Sequence, residues 1–282
     1  MQPTESLDVT FGSPEFGCGV YAAYSSQLDA IRNLEPLMND MFRMADENAI
    51  EPVQKVVYII VRVAAETLND VLILAGNGSG VGAMKMTRGM FESAVMAEYL
   101  RRNPAEADDF REHSYIRNWN RYQMLLETAP EKAKEVTPDT VKQLEANYNR
   151  VVSRFKNNKG RVRNEWHKKP ISLMAREVER AEQYETPYSL AASLHHGNFE
   201  GIAAHLHVHG DVVSLRAHPS LDWIPQALVS AHVYMLQALE SLNNSLSGGF
   251  DERIRVAVEE LENVWKKNPM GQAPETNGLN SL

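Results

Sequence analysis

The sequence predicts an all-α protein, a multi-helix bundle of about nine helices with one small β-hairpin insertion near residues 203-217. Three observations predict it. Apolar residues recur every three or four positions through most of the chain, Pro- and Gly-rich punctuation separates these runs, and period-two alternation is confined to one short stretch.

From Leu28, the residues Ile31, Leu34, Leu37, Met38, Met41 and Ala45 fall on one helical face, and Pro36 either kinks that helix or marks its real start. Val53 to Ala75 predicts a second helix with a wide apolar stripe, Val57, Ile60, Ala64, Leu68, Val71 and Leu72, as a central bundle helix carries. A third runs from Val81 to Arg102. Asn103-Pro104 supplies a stop and the start of a fourth that lasts to about Thr128, and Thr137-Pro138-Asp139 opens a fifth that ends at Asn157-Asn158-Lys159-Gly160. Ser172 to Gln183 predicts a short sixth helix, and Thr186-Pro187 opens a seventh that stops at Gly197. At His205 to Ala217 the period changes: His205, His207 and His209 alternate with Leu206 and Val208, and Gly210-Asp211 precedes Val212, Val213 and Leu215, which predicts the hairpin. Trp223 to Leu246 and Asp251 to Lys267 close the fold.

The 282 residues and their 43% hydrophobic content suffice for a sizeable core. We therefore expect an N-terminal tail over 1-24, a single helical domain over 25-268 and a disordered C-terminal tail over 269-282. A net charge of -8 excludes a surface that is basic overall but leaves room for a local patch. The lone cysteine, Cys18, has no partner for an intramolecular disulfide. The first residues lack a signal-peptide pattern, and the most apolar run, Val53 to Ala65, is interrupted by Lys55 and Arg62 and too short to span a bilayer. A cytoplasmic protein without membrane partners is expected.

Several constellations carry polar chemistry. The loop Gly76-Asn77-Gly78-Ser79-Gly80-Val81-Gly82 precedes a helix, yet it follows a helix rather than a strand, and Ala83-Met84 separate its last Gly from Lys85. A helix-helix turn is the preferred reading, and no cofactor is expected. Arg88 and Glu92, four apart amid Met84, Met90, Phe91, Val95 and Met96, should be paired. Such a pair is either a packing device or an anion site. Ser193 and His196 share a face of the seventh helix, which also carries Tyr188; His196, in its last turn, suits acid-base work or capping. The segment Arg150 to Lys169 holds Arg154, Lys156, Lys159, Arg161 and Arg163 with Trp166 interleaved and Glu165 as its one acid, a pattern that fits phosphate binding with base stacking as well as a solvated loop. The hairpin histidines share one strand face, but neighbours on a flat strand converge poorly on a tetrahedral ion, so no metal is expected.

Arg88-x-x-x-Glu92, then Trp166, then Ser172-Leu173-Met174-Ala175, then Tyr184, Tyr188, Ser193 and His196-Gly197 resemble, in order and spacing over Asp70 to Leu246, the bacterial domain of unknown function 5677 family. The resemblance implies an all-helical protein in which Arg88, Glu92, Tyr188, Ser193 and His196 form a shared polar cluster. A looser likeness is to HEPN-type helical nucleases, whose Arg-x4-6-His motif has the interval of Arg161 to His167 but not the polar residue expected where Val162 stands.

Three functions remain open. In the first, Arg88, Glu92, His196, Ser193 and Tyr188 form a catalytic pocket of a metal-independent ribonuclease of defence or stress, HEPN-like in chemistry, with RNA held by Arg154, Lys156, Lys159, Arg161, Arg163 and Trp166 and with a homodimer as the working form. The second is a noncatalytic interaction or scaffold module. The third is a metal-dependent hydrolase that uses the hairpin histidines.

Overall fold

The computed structural model describes residues 14–196, 199–203, 206–209, 212–215 and 222–269. Where the sequence reads as one helical domain over 25-268, the chain forms two compact units, Met1–Arg101 with Met174–Leu282, and Arg102–Leu173.

The first unit is built on α1 (Pro14–Arg32), α2 (Leu34–Glu47), α3 (Pro52–Gly76), α12 (Ile224–Leu246) and α13 (Asp251–Lys267). Residues 14–24, expected in a tail, are helical, and a kink at Tyr24 divides α1. The periodicity at Leu28 is the second half of that helix. Pro36 lies in the first turn of α2, where a missing amide proton costs nothing. α3 starts in a capping box between Glu51 and Gln54, and its apolar stripe packs along α12. α13 packs on α1 and α12, and Asn243 ties the connection between α12 and α13: its Oδ1 accepts from the Phe250 amide at 2.9 Å and its Nδ2 donates to Asp251 at 3.0 Å.

The Gly-rich loop is a helix-helix turn with two distinct demands on glycine. Gly78 adopts φ 75°, which side chains resist. At Gly80 a Cβ would stand 1.8 Å from the Asp222 carbonyl oxygen, so the start of α4 (Gly80–Arg102) seats directly against the backbone entering α12.

The second unit contains a 3-10 turn (Pro104–Glu106), α5 (Ala107–Thr128), the one-turn α6 (Pro130–Ala133) and α7 (Pro138–Val151). Thr137 caps α7 through its hydroxyl, as Thr-Pro-Asp predicts. Trp119 stacks on Tyr148 between α5 and α7, and Phe110 meets Trp166 edge-on at 5.3 Å. After a further 3-10 turn, the basic segment folds into a small antiparallel bridge, Lys156 with Val162, around Gly160 at φ 73°.

The sixth predicted helix is two. α8 (Ile171–Glu177) stops and α9 (Ala181–Gln183) restarts, because Glu179 takes φ 63° and Arg180 turns inward. The seventh begins differently too: Tyr184–Tyr188 form a π-helical turn with Pro187 inside it, ahead of α10 (Ser189–His196). Pro187 cannot supply an amide proton, and the wider turn accommodates that loss. α11 (Phe199–Ala203) and two four-residue strands follow; β1 (Leu206–His209) pairs antiparallel with β2 (Val212–Leu215), Leu206 opposite Leu215. The short helices raise the number above the nine that periodicity suggests, since three- to five-residue turns carry no period to read. The expected tail over 269-282 lies outside the described residues but for Pro269. Among the described residues, no helix is long and apolar enough to cross a membrane.

Candidate functional site

α4 is buried on most of its circumference, including Met84, Thr87, Met90, Phe91, Ala94, Val95, Tyr99 and Leu100. One stripe escapes. Lys85, Arg88, Gly89, Glu92 and Met96, spaced three and four apart, are positions that keep contact with solvent. Arg88 and Glu92 therefore occupy the rim of the core rather than its centre, with side chains 23% and 32% exposed.

The π-helical turn and α10 bring aromatic and imidazole groups to this stripe. Arg88 Nε donates to Glu92 Oε1 at 3.0 Å, and Tyr188 Oη donates to the same oxygen at 2.9 Å. Arg88 Nη1 donates to Nε2 of the exposed His196 at 2.8 Å. The guanidinium carbon also lies 5.9 Å from the centre of the Tyr188 ring, within cation-π range. Beneath, Tyr188 stacks on Tyr184 at 4.9 Å and packs on Phe91 at 4.8 Å, and Phe91 meets Tyr234 of α12 at 5.3 Å. The polar groups thus stand on an aromatic floor that fixes their positions.

Electrostatics sharpen the roles. Burial, then the charge and hydrogen bond of Glu92, push the Tyr188 hydroxyl up to about 12, so it stays protonated and remains a donor. For Arg88, burial pulls downward but the hydrogen bond and charge of Glu92 outweigh it, leaving the guanidinium above its ordinary value. A guanidinium has no acceptor, so His196 must present a bare Nε2 lone pair to it and carry its proton on Nδ1. Ser193 is half-buried and lies one turn before His196 on α10.

The basic segment divides. Lys156, Lys159 and Arg161 are exposed. Arg154 is engaged by Asp109 at 3.2 Å and by Glu112, and Arg163 turns back to donate to the Trp166 carbonyl at 3.1 Å. Trp166, expected to stack on a base, is buried at 8% exposure. It serves the core of the second unit instead, edge-on to Phe110.

His205 and His218 lie outside the described residues, as do the side chains of His207 and His209. Among the described residues, no group of three His, Cys, Asp or Glu could hold a metal ion.

Sequence reasoning missed Arg180. It is buried at 8% exposure, donates to the Ala94 carbonyl of α4 and reaches the Gln237 carbonyl of α12 at 3.4 Å. No local pattern announces it; an arginine between two short polar helices reads as surface.

The fold and the site define a class, a helical protein with an Arg-Glu-Tyr-His cluster at the edge of its core. A family model described as a family of unknown function (DUF5677) matches residues 54–213, and the chain belongs to that family. No curated protein and no solved structure matches it.

Proposed function

We propose that the Arg88, Glu92, Tyr188 and His196 cluster, with Ser193 beside it, is a catalytic site that acts on the phosphodiester of RNA. The observation that carries this reading is the 2.8 Å approach of Arg88 to an exposed His196 across 108 residues of chain. An anion-binding cation next to an imidazole that can exchange a proton is the pairing that phosphoryl chemistry needs.

In this reading an incoming phosphate draws the Arg88 guanidinium from His196 and frees the Nε2 lone pair. His196 then takes the proton of a ribose 2′-hydroxyl as that oxygen bonds to phosphorus and the 5′-oxygen leaves, with water supplying the leaving group's proton. Arg88 balances charge growing on the phosphoryl oxygens. Glu92 holds Arg88, and Tyr188 holds Glu92. Lys156, Lys159 and Arg161 are the exposed cations of the basic segment that would attract the strand. A homodimer belongs to the same proposal.

The test is incubation of purified protein with single-stranded RNA at low salt. Fragments ending in a 2′,3′-cyclic phosphate are expected, with the rate reduced by about 100-fold or more in His196→Ala and Arg88→Ala, the scale of acid-base and electrostatic contributions. Intact RNA that does not bind, with Arg88→Ala altering thermal stability alone, ends this reading.

One observation favours a noncatalytic interaction module instead. Glu92 Oε1 already holds two donors, so that carboxylate oxygen is satisfied without a ligand.

A further inference from the structure

The second unit contains a groove of about 330 Å³ formed by one face of α5 and residues 163–165 of the basic segment. Its walls include His113, Arg117, Asn120, Arg121, Met124 and Arg163. Glu165 is the one carboxylate among the residues that line it. The volume falls at the lower end of the range of small-molecule sites.

Three features distinguish this groove from an ordinary polar surface. Arg117 and Arg121 are exposed, and among the described residues neither has a hydrogen-bond or ion-pair partner. This contrasts with Arg111 on the same helix, which pairs with Asp108 at 2.9 Å, and with Arg150 and Arg154, which pair with α5 carboxylates. Standing four residues apart, Arg117 and Arg121 present their side chains in one row, with Cβ atoms about 6 Å apart. Arg163 adds a third guanidinium to the lining, held in place by Nη1 on the Trp166 carbonyl at 3.1 Å and Nη2 on the Arg154 carbonyl at 3.4 Å, with its Nε buried and without a hydrogen-bond partner among the described residues.

His113 sets the depth of the groove. It is 5% exposed, packs edge-on against Phe155 at 5.1 Å, and its Nε2 lies 3.4 Å from the Arg163 carbonyl, to which it donates. Burial holds its pKa below the ordinary histidine value, so it enters as a neutral anchor that orients the Arg163 backbone. At the other end Met124 is 62% exposed, an apolar ledge one turn beyond the arginine row.

We propose that this groove binds a nucleotide phosphate, held between Arg117, Arg121 and Arg163, with the sugar or base resting on Met124. Three guanidiniums against one carboxylate select an anion, and planar paired donors suit the oxygens of phosphate. The adjoining apolar ledge selects an organic ester over the bare ion. Free mononucleotide and single-stranded RNA share this chemistry. The site is independent of the reaction proposed at Arg88 and His196.

The experiment is titration calorimetry of the full chain with inorganic phosphate, with a nucleoside monophosphate and with a short single-stranded RNA, for wild type, Arg117→Gln/Arg121→Gln and Arg111→Gln. The exposed Arg117 and Arg121 can be replaced without breaking a hydrogen bond or an ion pair, and circular dichroism melting verifies the fold. At least one nucleotide probe should bind at one equivalent per chain, about tenfold or more weaker in the double variant and unchanged in Arg111→Gln. If the RNA binds, its salt dependence should also fall in the double variant, by about 0.7 in log-log slope for each phosphate that is no longer neutralised. The monophosphate binding identifies a free nucleotide as a source, and the RNA binding alone identifies a strand. Failure of both nucleotide probes to bind, binding of inorganic phosphate alone, or equal affinity in the double variant overturns the inference. RNA cleavage that depends on Arg88 and His196 but is accompanied by no such binding overturns this site and leaves the reaction reading intact.

Discussion

Arg88 Nη1 and His196 Nε2 lie 2.8 Å apart although 108 residues separate them in the chain. The contact fixes a tautomer as well as a distance, because only the imidazole can accept. At alkaline pH, long-range proton-nitrogen correlation spectra should show His196 with its proton on Nδ1, and Arg88→Ala should return it to a mixture of tautomers. A wild-type ring protonated on Nε2 would contradict the contact.

Tyr188 separates packing from hydrogen bonding. Tyr188→Phe keeps the rings against Phe91 and Tyr184 but removes the bond to Glu92, and should cost about 1 kcal/mol. Tyr188→Ala removes a side chain only 6% exposed and should cost about 3–5 kcal/mol. Arg88→Ala, at a partly exposed pair, should cost about 1 kcal/mol. Urea unfolding of the three variants gives the ranking; a Phe variant as unstable as the Ala variant would refute it.

Two glycines of α4 should respond in opposite directions. Gly80→Ala drives a methyl group into the Asp222 carbonyl and should destabilise by about 1–3 kcal/mol, because backbone has to move. At Gly89 nothing stands within 4 Å of a new Cβ, and Ala there should stabilise by about 0.5–1 kcal/mol through helix propensity. Differential scanning calorimetry of both variants reads the two signs directly.

Acid should weaken the fold through His232. This residue of α12 is fully buried, neither ring nitrogen has a partner among the described residues, and burial holds its imidazole down at about 4. The unfolded chain takes up the proton near the ordinary histidine value, so stability is unaffected above about pH 6.5 and is lost as pH falls toward about 4, by on the order of 3 kcal/mol. His113 and His167, also lowered by burial, act in the same direction. His232→Leu should therefore flatten the stability profile over that window without abolishing its slope. A variant with the wild-type acid dependence would show that His232 is not its source.

How much was legible in the sequence differs from element to element. α3, α12 and α13 were readable nearly to the residue, since each carries an apolar stripe over several turns and ends at Gly or Asn punctuation. α8 to α10 were not. The break at Glu179 comes with an inward turn of Arg180 onto carbonyls of α4 and α12 that lie far away in the chain, and the π-helical turn at Tyr184–Tyr188 carries no period to read. Trp166 was misread as a stacking platform because an aromatic between arginines has the same local pattern whether it faces solvent or a core.

The sequence by itself determined the helical class, the boundaries of the long helices and the pairing of Arg88 with Glu92, because those follow from periods of three and four along one segment. Only the tertiary structure decided that Tyr188 and His196 join that pair, that Arg154 is spent on carboxylates while Arg117 and Arg121 are left without partners among the described residues, and that Gly80 meets a backbone. These are contacts between segments distant in sequence, set by how helices pack, and no local period encodes them.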